Sequence, residues 1–288
     1  MKKAICLMSI ITLIFLSSAC TGVSQNSEYR IMRFEQSYSD SLLESDIEFT
    51  FGKKEGYFVR EDAAQTLSQN INGNTVEGVY KESKYGYGNY FVTDRYKAEN
   101  SADSTWFEVD SDGMLAGYTH KRSKVKPGKE CSEDECIEIA RAFMKNIIDV
   151  SDYKMESKYD EAYDSYKIMF TKYVNDFKTM DRAYVSVDKS GDVYLYTSNM
   201  LGKVPADVST DFDLKAVKST IEAKLDVLYE NTKKTHDKTE YIDSEEILSV
   251  LEDGTPVLLV WYEIEYSKFE GEYEICSSDK IGFVVEKQ

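Results

Sequence analysis

From Tyr29 onward the chain alternates two kinds of pattern. Three stretches return an apolar residue every three or four positions, and the segments between them alternate apolar and polar side chains with period two. The clearest of the three is announced by Ser132-Glu133-Asp134-Glu135, a capping box in which hydroxyl and carboxylate satisfy opposing backbone donors. Cys136, Ile139, Ala140, Phe143, Met144 and Ile147 then share one helical face. A second face runs through Leu214, Val217, Ile221, Leu225 and Leu228, with Asp211 as its expected cap. The third, residues 61–71, would turn Ala63, Ala64, Leu67 and Ile71 inward.

Each helical stretch is followed by aromatic-rich strands. After the one at 61–71 the alternation predicts strands at 76–80, 89–98, 105–110 and 114–120. Behind the one at Ser132 they fall at 154–160, 166–174, 182–188 and 192–198, and behind the last at 246–251, 257–267, 272–276 and 280–286. Two further strands, 30–34 and 47–51, precede the whole series without assignable partners.

The repetition is sharpest at one hairpin. Residues 106–115, WFEVDSDGML, match residues 184–193, YVSVDKSGDV, with Val-Asp-x-x-Gly shared and the alternation intact on both sides. Glycine supplies the positive φ of the turn and Asp caps it; Glu252-Asp253-Gly254 is a looser third copy. Pro127-Gly128 and Pro205 stand just ahead of the second and third helices, where unit boundaries belong. The predicted fold class is α+β, built from repeated units of one amphipathic helix packed on an antiparallel sheet. The expected divisions are a leader at 1–19, a tether with N-terminal strands at 20–59, and units at 60–126, 127–204 and 205–288.

The helix at Ser132 followed by residues 166–196, YKIMFTKYVNDFKTMDRAYVSVDKSGDVYLY, resembles the PepSY domain and the PepSY-like repeats of Gram-positive envelope lipoproteins. The likeness is strongest over residues 132–202, weaker over 61–120 and topological over 211–285. It implies a helix packed on an antiparallel sheet, close to cystatin-like proteins. It also implies a role in restraining peptidases, and brings no catalytic motif and no cofactor.

The first 20 residues carry a separate message. Lys2 and Lys3 precede an apolar run, residues 4–15, interrupted only by Ser9 and Thr12 and too short for a comfortable membrane span. Leu16-Ser17-Ser18-Ala19-Cys20 then sets small residues before a cysteine, as lipoprotein signal peptidase requires. Cys20 is the expected lipidation site, which predicts a lipid-anchored protein on the extracytoplasmic face of the cell membrane. The full chain carries a formal charge of -17, and the leader removes two lysines and no acid, so the mature surface is more acidic still. Such a surface repels nucleic-acid phosphates and disfavours lying flat on anionic lipid.

Candidate chemistry is sparse. His120 and His236 are the two histidines, and neither joins a zinc-binding spacing, so no metal site is expected. The chain has no Gly-x-Ser-x-Gly elbow, phosphate-binding loop or dinucleotide fingerprint, so neither catalytic residues nor a cofactor are expected. Asp110-Ser111-Asp112-Gly113 opens like a calcium loop but lacks the later ligands, and reads as a hairpin turn. Cys131 and Cys136 flank the first helical turn where an apolar staple packs, and are the expected disulfide partners in preference to Cys276. Tyr159, Tyr163, Tyr166 and Tyr173, with Tyr85, Tyr87 and Tyr90, form an aromatic set suited to ordinary sheet packing or to binding peptide or glycan. The expected function is a non-enzymatic binding module for an extracytoplasmic peptidase or another envelope protein. The alternative is an envelope lipoprotein that recognises cell-wall glycan or peptide.

Overall fold

A computed structural model describes residues 28–36, 57–85, 92–98, 104–121, 130–251 and 253–288. The leader, Cys20, the predicted strand at 47–51, Pro127-Gly128, Tyr87 and Tyr90 lie outside the described residues. In chain order the strands are β1 (Tyr29–Gln36), β2 (Tyr57–Phe58), β3 (Thr66–Ile71), β4 (Asn74–Tyr85), β5 (Val92–Ala98), β6 (Trp106–Val109) and β7 (Leu115–Thr119). Helix α1 (Glu133–Lys145) leads into β8 (Tyr153–Asp160), β9 (Ser165–Val174), β10 (Phe177–Asp188) and β11 (Val193–Asn199). Helices α2 (Leu214–Leu228) and α3 (Glu230–Thr235) precede β12 (Lys238–Val250), β13 (Pro256–Glu270) and β14 (Tyr273–Lys287).

The expected α+β class with repeated helix-on-sheet units is overturned. Fourteen strands join into one mixed sheet, ordered β1-β14-β13-β12-β10-β11-β7-β6-β5-β4-β2, with β3 on β4 and β8 on β9. Three helices lie against it among the described residues. Two features cause the difference. Residues 61–71 do not form a helix: they turn at Glu61-Asp62-Ala63 and continue as β3, which pairs with β4 from Thr66↔Val79 to Ile71↔Asn74. The strand groups also join edge to edge, through antiparallel β11–β7 and through a parallel contact, Thr179↔Leu248, between β10 and β12.

Strand β10 is the fork of the sheet. From Arg182 to Val187 it is flanked by β9 on one side and β11 on the other. Nearer its start the register with β9 skips between Lys178 and Arg182, and there Thr179 meets β12. Three cores result. Cys136, Ala140, Phe143 and Met144 of α1 pack on Ile168, Phe170, Ala183, Val185 and Tyr196, in a cluster that extends to Phe107 and Leu115. Val217, Ile221 and Leu225 of α2 cover Leu258, Val260, Tyr262, Phe283 and Val285. The residues that alternate with these on β13, Val257, Leu259 and Trp261, face the opposite way and pack with Met32, Ile247, Val284 and Met180 of β10. Sheet burial on both faces explains why β13 reads as a nearly continuous apolar run from Val257 to Tyr262.

Two smaller expectations also change. The cap of α2 is Asp213, whose carboxylate accepts from the amides of Lys215 and Ala216, two residues later than the expected Asp211. The strands predicted at 272–276 and 280–286 are one continuous β14, paired to β13 throughout from Val257↔Glu286 to Glu270↔Tyr273.

Candidate functional site

Strand β8 is where the middle of the sheet ends. It pairs with β9 along its whole length, from Tyr153↔Lys172 to Asp160↔Ser165, and among the described residues no strand covers its other edge. Its side chains explain its position. Tyr153 and Met155 turn inward and pack on the α1 core, while Lys154, Glu156 and Lys158 point to solvent, an alternation that fits a half-buried strand. Charged side chains on such an edge keep it soluble while leaving its backbone donors and acceptors open.

The start of β8 is pinned from below. The Tyr153 hydroxyl donates to Asp181 Oδ1 at 2.5 Å, and the Gly202 amide donates to the same oxygen at 2.9 Å. Asp181 is fully buried in the register skip of β10, and its Oδ2 has Lys172 Nζ at 3.6 Å but no hydrogen bond among the described residues. Burial pushes the Asp181 carboxyl above the usual carboxylate range, against the opposing pull of Tyr153, the Gly202 amide and Lys172. Lys172 also donates to the Val204 carbonyl at 2.7 Å. One carboxylate thus ties β8, β10 and the 200–204 turn together.

The far end of β8 carries the aromatic residues. Tyr159 and Tyr163 expose 37% and 58% of their surface, and the Tyr159 and Tyr166 rings lie 5.2 Å apart. Lys189 Nζ reaches Asp164 at 2.9 Å and sits over the Tyr159 ring, whose hydroxyl hydrogen-bonds Asp164. Tyr173 is held under Lys154 Nζ, 3.7 Å from its centroid, and Tyr85 lies in β4. The structure therefore gathers Tyr159, Tyr163 and Tyr166 at one corner and leaves Tyr85 on another part of the sheet.

Both Val-Asp-x-x-Gly turns have the same wiring. Asp110 Oδ1 accepts from the amides of Asp112 and Met114, and Asp188 Oδ1 accepts from those of Ser190 and Asp192. Gly113 and Gly191 take φ of 77° and 83°. Asp110 is thus engaged as a turn cap, as the hairpin reading of 110–113 anticipates, and no group of three or more His, Cys, Asp or Glu suited to a metal occurs among the described residues.

Cys131, Cys136 and Cys276 are free thiols in the structure. Cys136 is buried against the Asp188 carbonyl, with Sγ at 3.8 Å, and the Cys131 amide donates to the Lys189 carbonyl at 2.7 Å. The two cysteines therefore seat the start of α1 on the second hairpin turn. Burial pushes the Cys136 thiol up to about 11. His120 is more engaged than its sequence position suggests, with Nε2 3.0 Å from Asp192 Oδ2 and a backbone bond from its amide to Tyr194. His236 ends α3, where its Nδ1 lies 3.1 Å from the Thr232 carbonyl and its ring stands edge-on to Tyr266.

An open groove of about 410 Å³ separates the β9–β10 turn from the start of α2 and β12, lined by Tyr173, Phe177, Lys178, Leu214 and Glu245. Lys178 and Glu245 lie 3.6 Å apart across it, and Asp176 and Glu246 add two further carboxylates to its lining.

Residues 95–200 match the family model described as the YcdB, YcdC repeated domain. That stretch contains α1, the open strand β8 and both Val-Asp-x-x-Gly turns. No curated protein matches the chain. Among solved structures, the Bacillus megaterium YpeB C-terminal domain aligns over 77% of this chain and 99% of its own length, at 11% identity and a TM-score of 0.34.

Proposed function

We propose that this chain is an extracytoplasmic lipoprotein, held to the cell membrane through a lipid on Cys20, that binds an envelope protein or an extracytoplasmic peptidase by strand addition and performs no catalysis of its own. The observation that carries this reading is the open edge of β8, eight residues bonded on one side only among the described residues. An extended segment of a partner adds there through main-chain hydrogen bonds, without a special side chain. The PepSY-like likeness of residues 132–202 and the family match over 95–200 both include this strand, which supports placing the function on it.

Successive residues of a strand direct their amides to opposite edges, so two neighbouring prolines test the proposal. Of Glu156→Pro and Ser157→Pro, one removes an outward donor and keeps pairing with β9, while the other breaks that pairing. With the lipidated protein as bait on native membranes, the outward-facing variant should lose the partner that the wild type captures while keeping the wild-type melting temperature. Undiminished capture by that variant would sink strand addition on β8. Cys20→Ala should abolish palmitate incorporation; a wild-type chain that takes up no lipid would remove the anchor and leave the edge reading standing.

A second reading, recognition of cell-wall glycan or peptide, is favoured by the exposed Tyr159 and Tyr163 at the β8–β9 corner. It predicts that Tyr163→Ala weakens sedimentation with purified peptidoglycan while the β8 proline variant does not.

A further inference from the structure

The face of the sheet turned away from α1 carries a stripe of cations on an acidic chain. On β5, β6, β7, β11, β10, β9 and β8 the residues that alternate with the α1 core point to this face, and the registers set them in rows. One row runs from Lys97 through Trp106, Thr119, Leu195 and Ser186 to Lys167 and Lys158. The next runs from Arg95 through Glu108, Gly117, Thr197, Tyr184 and Met169 to Glu156. Trp106 lies under Arg95 and Lys97, at 4.3 and 5.8 Å from its centroid, and Tyr184 lies under Lys167 at 4.4 Å. Arg95 is matched by Glu82 and Glu108. Lys97, Lys154, Lys158 and Lys167 are exposed and form no ion pair among the described residues, Glu156 between Lys154 and Lys158 included. Lys158 and Lys167 stand directly opposite each other, a like-charge pairing that costs stability. On a chain with a formal charge of -17, this is not for want of acids.

We infer that this face binds an acidic polysaccharide laid across the strands. Lys97 at one end and the Lys158–Lys167 pair at the other close a row that spans roughly 29 Å at the usual strand spacing. A ligand that reaches both ends is extended and carries repeated negative charges. Between the ends the face offers hydroxyls and little bulk: Thr119 in the first row, and exposed Thr197 beside Gly117 in the second. The hydroxyls of sugar rings hydrogen-bond there, and carboxylates of the same polymer meet the lysines. Those carboxylates also screen Lys158 from Lys167, so the free energy lost to their repulsion is regained on binding. Trp106 and Tyr184 hold Lys97 and Lys167 in place before the ligand arrives, which lowers the ordering cost. The acidic remainder of the surface repels a polyanion and leaves this face as its landing place. The site is separate from the open edge of β8: it uses side chains on a face, where strand addition uses backbone groups on an edge.

Polygalacturonate, a polymer of uronic acid, is the probe. The full chain in detergent should bind it at low salt, lose affinity as salt rises, and ignore neutral dextran. Free galacturonate at the same carboxylate concentration should not compete, since one sugar cannot span the row. Lys158→Gln combined with Lys167→Gln should weaken binding about tenfold and melt no lower than the wild type, because the repulsion leaves with the charges. Lys145→Gln combined with Lys215→Gln removes the same charge from exposed positions on α1 and α2, and should bind as the wild type does. Acetylation of the free chain should label Lys97, Lys158 and Lys167, and polygalacturonate should protect all three. The proposal is overturned by unreactive lysines in the free chain, by equal losses in the two double variants, or by competition from free galacturonate. Equally tight, lysine-dependent binding of polyglutamate or single-stranded DNA would also overturn it, since the face would then read charge alone. Capture of a partner by strand addition should be unchanged in the Lys158→Gln and Lys167→Gln chain, so the two readings stand or fall separately.

Discussion

At the scale of single residues, His120 and Cys136 show what folding adds to a side chain. The hydrogen bond to Asp192, ahead of any other influence, raises the affinity of His120 for its proton above that of an ordinary imidazole. A raised folded value means that the stabilisation is fully present below the unfolded value of about 6.5 and is lost as pH rises through the higher folded one. Urea titrations should therefore show the wild type losing stability between pH 6 and 8 relative to His120→Gln; parallel profiles for the two would show that the contact with Asp192 contributes nothing. Cys136 also holds its proton more tightly, because burial disfavours the thiolate. The sign is the same, so that contribution is intact below an ordinary thiol value and falls away between about pH 9 and 11. The thiolate is the nucleophile, so an alkylating reagent at pH 8 should label exposed Cys276 first and leave Cys136 until the chain unfolds. Early modification of Cys136 in the native state would contradict its burial. Cys136 was legible as a core position from helical spacing, whereas the role of His120 depends on Asp192, 72 residues away, which no local pattern reveals.

At the scale of elements, local signals were reliable where a helix end or a turn is built from neighbouring residues. The box at Ser132 forms as its sequence dictates: Glu135 accepts from the Ser132 amide at 2.8 Å and returns its own amide to the Ser132 hydroxyl. Residues 61–71 misled because four apolar residues at helical spacing also fit a turn and a short strand. The deciding signal lay just beyond, in Asn72-Gly73, whose φ values of 54° and 75° give the two-residue turn that joins β3 to β4. The open edge of β8 had no such signal, because alternation marks a strand without saying which strands lie beside it. This difference between local and distant determinants sets the cost of mutation along α1. Ser132→Ala removes a cap and should cost about 0.5–2 kcal/mol. Phe143→Ala, which empties a buried position 5.2 Å from the Tyr196 ring, should cost about 3–5 kcal/mol. Denaturant midpoints for the two variants in the reverse order would show that α1 is held by its ends more than by its face.

At the scale of the whole molecule, β10 decides how far the predicted units behave as units. It completes the sheet under α1, and its first residues also reach β12, where Met180 joins the core made by Val257, Leu259 and Trp261. A boundary at 204/205 therefore separates sequence repeats more cleanly than it separates cores. If β10 couples the two parts, calorimetry should show one cooperative transition for the wild type. Met180→Ala, which leaves a cavity in the shared core at a cost of about 2–5 kcal/mol, should split it. Asp181 tests the same junction through polar contacts. Replacing it with alanine leaves the Tyr153 hydroxyl and the Gly202 amide without their common acceptor and the Lys172 ammonium without its counter-charge, and breaking such a buried pair costs about 3–5 kcal/mol. Asp181→Asn keeps an oxygen for Tyr153 and Gly202 and gives up only the attraction to Lys172, which lies 3.6 Å away without a hydrogen bond to Oδ2. The asparagine variant should therefore retain most of the wild-type stability and a single transition, while the alanine variant should melt lower and in two steps, the α1 half first. Equal losses from both substitutions would mean that the charge of Asp181, and not its two short hydrogen bonds, holds β8 and the 200–204 turn to the fork.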